Sequence, residues 1–255
     1  MSTLSNPLNH SALLATATDA ASYAAHMIMD HFGLAHGYEK APGAVVTDVD
    51  VEIERRLRRR LHTATGFAVM GEETGGELGA EPTWVIDPID GTSNFITGNP
   101  DCAVLISLVV DNRVEVAVTV IPQRGLRYTA VRGGQLVRNG VPQTGTRRSD
   151  PTVEVVGLSA INPLALDLAQ TTLRPRVTGS VGVNLAYAAQ GIFSAAVSTS
   201  PHVWDNAAGA LLCESAGLEV RALDGQEWTP RSGPLVAGTH EAVETVLDTM
   251  RAQHH

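Results

Sequence analysis

The sequence predicts a mixed fold, an α+β part followed by an α/β part. Three observations carry this. Residues 7–36 have apolar side chains at helical spacing, residues 103–131 hold three successive strand-length apolar runs, and from about residue 151 short strands and helices alternate. The polar stretch Gln143–Asp150 (QTGTRRSD) is the best boundary. It divides an N-terminal α+β part, residues 1–146, from a C-terminal α/β part, residues 147–255.

Each element has its own signal. Leu13, Leu14, Ala17, Ala21, Ala24 and Met27 predict one long helix over 7–36, followed by a loop through Pro42-Gly43. Asp48 to His62 reads as a second helix with Ile53, Leu57 and Leu61 on one face. In that helix Glu52 stands four residues before Arg56 and Glu54 four before Arg58, so Arg55, Arg56, Arg58, Arg59 and Arg60 read as a solvated face with ion pairs. Short strands at 67–70 and 85–87 precede longer ones at 103–110, 114–120 and 126–131, and Asn139-Gly140 signals a hairpin. This half should pack helices on a mostly antiparallel sheet. Beyond the boundary, strands at 153–158, 176–178, 193–197, 218–222 and 235–237 alternate with helices at 163–173, 180–189 (closed by Gly191), 204–216 and 241–251.

Composition narrows the function. With 44% hydrophobic and 18% charged residues the chain is globular, and 255 residues suffice for one or two domains. A net charge of −9 argues against duplex nucleic acid as a partner, because phosphate-backbone binding needs a basic footprint. No apolar run approaches a membrane span, and no Lys or Arg precedes Lys40, so neither a secretory signal nor a transit peptide is expected. A cytoplasmic protein without a membrane partner is the resulting expectation. Cys102 and Cys213 sit far apart in apolar segments and should be buried free thiols.

The chemistry concentrates in Trp84–Phe95, WVIDPIDGTSNF. Asp87 ends an apolar run, Pro88 stiffens the turn, and Asp90-Gly91-Thr92 starts a helix, so both acids can face one cavity. Carboxylates collect hard cations and a helix start collects phosphate, so metal-assisted chemistry on a phosphate is implied. Gly71-Glu72-Glu73, Thr47-Asp48-Val49-Asp50 and Trp204-Asp205-Asn206 add acids at strand ends or helix starts. Taken singly, Asp48 and Asp205 read equally as N-caps, and Glu72 and Glu73 as exposed turn acids. Four carboxylates beside a phosphate dianion would repel it, each unit pair costing roughly 3 kcal/mol at about 5 Å and an effective dielectric of about 20. Bound cations reverse that sign and acidify a water.

These residues resemble the inositol monophosphatase family of magnesium-dependent, lithium-sensitive phosphatases. WVIDPIDGTSNF (84–95) and WDNAAGALLCESAG (204–217) match its two signatures; Gly-Glu-Glu at 71–73 and Thr-x-x-Asp at 47–50 match two further elements. The resemblance implies a sandwich fold of alternating helix and sheet layers, shared with fructose-1,6-bisphosphatase, and two to three Mg²⁺ per site. Glu72 and Asp87, with the carbonyl of Ile89, would hold the first ion; Asp87, Asp90 and Asp205 the second; Glu72 would help hold a third. Thr92, hydrogen-bonded to Asp50, would activate the attacking water, so Thr92, Asp50 and Glu72 are the implied catalytic residues. Gly91 and Thr92 would offer backbone N–H groups to the phosphate, and the protein would be a homodimer.

The substrate is read from the lobe Gly179–Asn184 plus Phe193–Val203, which contains no Asp, Glu, Lys or Arg. Ser180, Val181, Ser198 and His202, with Asp90, Gly91, Thr92 and Asp205, are the candidate substrate contacts. Ser198 stands where inositol-cleaving members often carry a Glu, Ala44 replaces a frequent Asp, and Leu218 a frequent Gly. An uncharged lobe suits a neutral polyol monophosphate, with myo-inositol 1-phosphate first. Histidinol phosphate and then a sugar bisphosphate are the alternatives, and a non-catalytic metal- or phosphate-binding regulator is a different class.

Overall fold

The computed structural model describes residues 8–41, 44–144 and 152–252. The predicted boundary between residues 146 and 147, and the predicted loop at Pro42-Gly43, lie outside them. Helix α1 (His10–His31) is capped by the Asn9 side chain, which accepts from the Ala12 amide. A hairpin follows, β1 (Gly37–Ala41) and β2 (Ala44–Thr47), then α2 (Asp48–Thr65). Strands β3 (Ala68–Gly71) and β4 (Thr83–Asp90) lead into α3 (Thr92–Thr97), β5 (Ala103–Val110), β6 (Arg113–Ile121), β7 (Leu126–Val131), β8 (Val137–Arg138) and β9 (Val141–Pro142). The second half runs β10 (Glu154–Leu158), α4 (Pro163–Leu168), β11 (Leu173–Val177), α5 (Val181–Gln190), β12 (Ala195–Ser198), α6 (Val203–Ser215), β13 (Glu219–Ala222), β14 (Leu235–Gly238) and α7 (His240–Ala252).

Strands β3 to β9 lie in chain order in a seven-stranded sheet, parallel only between β3 and β4. The other large sheet has the order β11-β10-β12-β14-β13 and is mixed. Side chains of β5 explain the layering. Val104, Ile106 and Leu108 join α1 and α2, whereas Ala103, Leu105 and Val109 join α5 and α6. With both faces covered, the strand is an unbroken apolar run rather than an alternating one. On the five-stranded sheet, Ala196 and Ala237 face the α5/α6 core while Val156, Val197 and Val236 face α4 and α7. The layers are therefore α1/α2, sheet, α5/α6, sheet, α4/α7, the alternation that the family resemblance implies.

Several sequence expectations need correction. The first helix stops at His31, where Phe32 turns to extended geometry and Gly33 to positive φ. The β1–β2 hairpin was not anticipated, because β1 is exposed throughout and carries no apolar alternation. Pro163 starts α4 as expected, with Asn162 as its N-cap, but the helix ends at Leu168 rather than 173, since Leu173 belongs to β11. The predicted solvated face of α2 holds for Glu52, which pairs with Arg55 and Arg56. It fails for Glu54, which is fully buried. Cys102 and Cys213 are buried and free, and no described helix is long and apolar enough to cross a membrane.

Leu57 is fully buried between α1 and the seven-stranded sheet, while Val51 on the same helix is 38% exposed. Leu57→Ala should lower unfolding free energy by about 2–5 kcal/mol in a urea titration. Val51→Ala should cost under about 1 kcal/mol.

Candidate active site

Three segments end together between the seven-stranded sheet and the α5/α6 layer. The turn after β3 brings Glu72, β4 brings Asp87 and Asp90, and the first turn of α6 brings Asp205. Carboxylate oxygens of Glu72, Asp87 and Asp205 all lie within 4.8 Å of one another.

A bulge in β4 makes this possible. Asp87 pairs with Leu105 but Asp90 pairs with Ala103, so one extra residue is accommodated at Pro88–Ile89. In a regular strand residues three apart face opposite sides. Here Val85 joins the α5/α6 core and Trp84, Ile86 and Ile89 the α1/α2 core, so the parity changes between Asp87 and Ile89. The Ile89 amide donates to Asp87 Oδ1 at 3.0 Å and fixes the turn. Both acids thereby reach the same layer.

Asp90 then meets the start of α5. Its carboxylate accepts from the Ser180 hydroxyl (2.5 Å) and from the backbone amides of Val181 (3.1 Å) and Gly182 (2.6 Å). A Cβ on Gly182 would lie 2.4 Å from Leu105 Cδ2 and 2.8 Å from Asp90 Oδ2, so only glycine lets the helix approach. Asp50 has a matching double role. Its Oδ2 accepts from the Thr47 amide at 3.0 Å in a capping box that starts α2, and its Oδ1 lies 3.0 Å from Thr92 Oγ. The Thr92 hydroxyl also lies 3.0 Å from the Ile89 carbonyl oxygen. Neither Asp48 nor Asp205 is an N-cap: Thr47 and His202 hold those positions.

Burial makes the acids hard to ionise. Desolvation, then repulsion from Asp205, raises the Asp90 carboxyl to about 7 against its hydrogen bonds from Ser180, Gly182 and Val181. Asp205 is raised to about 6 by burial and by Glu72, against a hydrogen bond from Ser200. Asp87 is raised well above the carboxylate range by burial and by Glu72, Asp90 and Asp205. Asp50 is also raised by burial, its bonds from Thr47 and Thr92 opposing. An all-oxygen cluster of mutually repelling carboxylates suits a hard divalent cation. Glu72, Asp87 and Asp205 can hold one, with Asp90 close enough to repel Asp87 and Asp205.

Some residues escaped sequence reasoning. The chain's single lysine, Lys40, lies 2.6 Å from both Glu72 and Glu73. Burial pulls its pKa down, but those two hydrogen bonds outweigh it and hold it above the ordinary lysine value. Glu73 nevertheless has a raised pKa: burial outweighs the Lys40 hydrogen bond, and Glu72 adds repulsion. Lys40 is therefore better read as compensating both acids than as a simple pair with either. Its rarity was the available signal.

The substrate lobe looks different from its sequence. Ser180 and Ser198 are fully buried. The Ser180 hydroxyl is spent on Asp90 and the Val183 amide, and the Ser198 hydroxyl accepts from the Ser200 amide at 3.3 Å. Val181 is also buried, its amide held by Asp90. His202 remains exposed, its ring stacked on Trp204 with centroids 4.5 Å apart. Gly91 caps α3 and is partly exposed, as is Thr92. Cys102 offers no nucleophile, because burial and Asp90 push its thiol up to about 12.

The model of the inositol monophosphatase family matches residues 9–255. A protein of Mycobacterium tuberculosis named a probable inositol 1-monophosphatase ImpA is 38% identical over 218 residues, 80% of this chain and 81% of its own. The Nus factor SuhB of Pseudomonas aeruginosa is 33% identical over 84% of this chain and 85% of its own. Among solved structures, the IMPase of Thermotoga maritima superposes with a TM-score of 0.86 at 23% identity, covering 94% of this chain and 96% of that one.

The raised carboxyls fix a pH dependence of stability. Between the ordinary carboxylate range and about 7, the folded metal-free protein holds protons on Asp90 and Asp205 that the unfolded chain has released. Stability must therefore fall as pH rises through that window. In EDTA, Tm should decrease from pH 4.5 to about 7. Excess MgCl₂ at the upper end should restore it, because a cation binds only the folded cluster. A Tm that rises across the window without metal would contradict the assignment.

Proposed function

The chain belongs to the inositol monophosphatase family, and from that premise we propose that it is a magnesium-dependent phosphomonoesterase acting on a small polyol monophosphate, myo-inositol 1-phosphate first. The observation that carries this reading is the pairing of a cation-suited cluster, buried Asp87 with half-buried Glu72 and Asp205, with the Thr92–Asp50 contact of 3.0 Å. A cluster alone suits storage or stability; the hydroxyl–carboxylate pair has a use only where a water must be oriented and deprotonated.

In this reading Glu72, Asp87 with the Ile89 carbonyl, Asp90 and Asp205 hold two to three Mg²⁺. When bound, the ions neutralise the carboxylates, draw in the phosphate dianion and acidify water. The chain's own groups do the rest. The Gly91 and Thr92 amides meet the phosphate oxygens. Thr92 donates its proton to Asp50 and keeps lone pairs to accept from the attacking water. That water's oxygen bonds to phosphorus as the ester oxygen leaves in line. Its proton passes by way of Thr92 to Asp50, and solvent protonates the departing alkoxide. Burial strengthens Asp50 as a base by raising its pKa.

The absence of formal charge in the lobe 179–184 and 193–203 supports a neutral leaving group over an ammonium-bearing one. With Ser180 and Ser198 turned inward, His202 is the more accessible contact for its hydroxyls. Histidinol phosphate and then a sugar bisphosphate are the alternatives. A homodimer in the cytoplasm completes the reading, and exposed Ile161, Val177 and Ile192 give a partner subunit apolar surface to cover. The relative named a Nus factor supports a second reading, a regulator in which turnover is dispensable.

A phosphate-release assay tests both. Activity should vanish in EDTA and return with Mg²⁺; wild-type protein without turnover on any phosphomonoester would favour the regulator. Thr92→Ala and Asp50→Asn should each lower kcat at least about a hundredfold with the far-UV spectrum unchanged. At saturating Mg²⁺, kcat/KM for inositol 1-phosphate should exceed that for histidinol phosphate at least about tenfold, roughly 1.4 kcal/mol. The reverse order would promote the alternative.

A further inference from the structure

We propose that Glu54 is a positioning residue of this site: its buried carboxylate, with Arg58 one helical turn on, sets the turn that presents Glu72 to the cation. The inference rests on the reading of Glu72 as a cation ligand and adds what aims it.

Glu54 lies on α2 and is fully buried, one turn beyond Asp50. A buried carboxylate is costly unless its lone pairs are filled. Those of Glu54 are filled by the turn that follows β3. Oε2 accepts from the Glu73 amide at 2.7 Å, while Oε1 accepts from the Thr74 amide at 2.8 Å and the Thr74 hydroxyl at 2.5 Å. Arg58 completes the clamp from the donor side. Its guanidinium reaches the Val69 carbonyl, the Gly75 carbonyl at 2.9 Å, Thr74 Oγ at 2.5 Å and Glu54 Oε1 at 3.4 Å. The pair thus takes both the amides and the carbonyls of one short turn, which reciprocal Gly71–Gly75 backbone bonds close. Glu72 stands within that turn, and Glu54 grips the residue immediately after it.

Gly71 provides an independent mark of the same design. A Cβ there would lie 2.5 Å from Glu54 Cδ and 2.5 Å from Oε1. Its φ is not positive, so space for the carboxylate, not backbone freedom, requires glycine. The glycine of Gly-Glu-Glu exists for Glu54. The same helix therefore serves the site twice, through Asp50 to Thr92 and through Glu54 to Glu72.

The test uses Glu54→Gln, which keeps volume but offers one acceptor oxygen where two separate oxygens receive the two amides. Gly71→Ala displaces the carboxylate from the other side without altering it. Glu52→Gln, on the exposed face of α2, is the control. In metal-free protein, NMR hydrogen exchange at the Glu73 and Thr74 amides should accelerate at least about tenfold in both variants, with core amides of β5 unchanged. By calorimetry, Mg²⁺ affinity should fall about 10–100-fold, and half-saturation of activity should shift alike, while kcat at saturating Mg²⁺ stays within about threefold. A merely structural role would lower Tm and leave metal affinity untouched. Exchange and affinity within about twofold of wild type in a folded variant would overturn the proposal; should Glu54→Gln not fold, Gly71→Ala decides. If the wild type binds Mg²⁺ yet hydrolyses nothing, the phosphatase reading fails, and exchange and calorimetry still judge Glu54.

Discussion

Four neighbouring carboxylates, Asp87 and Asp90 buried and Glu72 and Asp205 half-buried, are the constraint that the rest of the structure answers. Asp87 and Asp90 are nearly inaccessible, and Asp205 and Glu72 close on them from a helix start and a turn. Such a cluster opposes folding wherever the groups ionise without compensation. The layers bring compensation from three directions: the first amides of α5 on Asp90, the Ile89 amide on Asp87, and the Lys40 ammonium on Glu72. What remains is an excess of negative charge whose natural complement is a cation.

Helix α2 is the element that links the fold to this chemistry. Its inner face, Ile53, Leu57 and Leu61, anchors it to the seven-stranded sheet. Its first turn holds Asp50 against Thr92, and its second holds Glu54 against the Glu72 turn. Thr92 at the start of α3 and the turn that carries Glu72 are therefore registered to each other by one rigid body. A shift of α2 along its axis would move both, which couples packing around Leu57 to the geometry of Thr92 and of the Glu72 turn.

Relatives of this chain carry different names, a probable inositol 1-monophosphatase and a Nus factor. They need not share the water-orienting pair or the leaving-group lobe. In this chain Thr92 and Asp50 are in contact, Ser180 and Ser198 are turned inward, and His202 stays exposed beside Trp204.

The sequence by itself determined much of this. Periodicity located α2, β5, β6, β7, α5 and α6 nearly to the residue, because long apolar patterns bounded by Asp, Asn and Gly leave little choice. The signature segments also identified the acids that meet, since strand ends and helix starts are where a layered fold exposes them. Sequence could not find the β1–β2 hairpin, whose first strand buries nothing, nor the early end of α4, where Leu173 serves a strand as readily as a helix. It assigned Glu54 and Arg58 to a solvated pair because i,i+4 spacing is the same on either face of a helix. It offered Ser180 and Ser198 to a substrate because a hydroxyl's partners are not local. Only the tertiary structure decided those points. Which way a polar side chain faces depends on what other segments bring against it, and a one-residue bulge at Pro88–Ile89 suffices to reverse the answer.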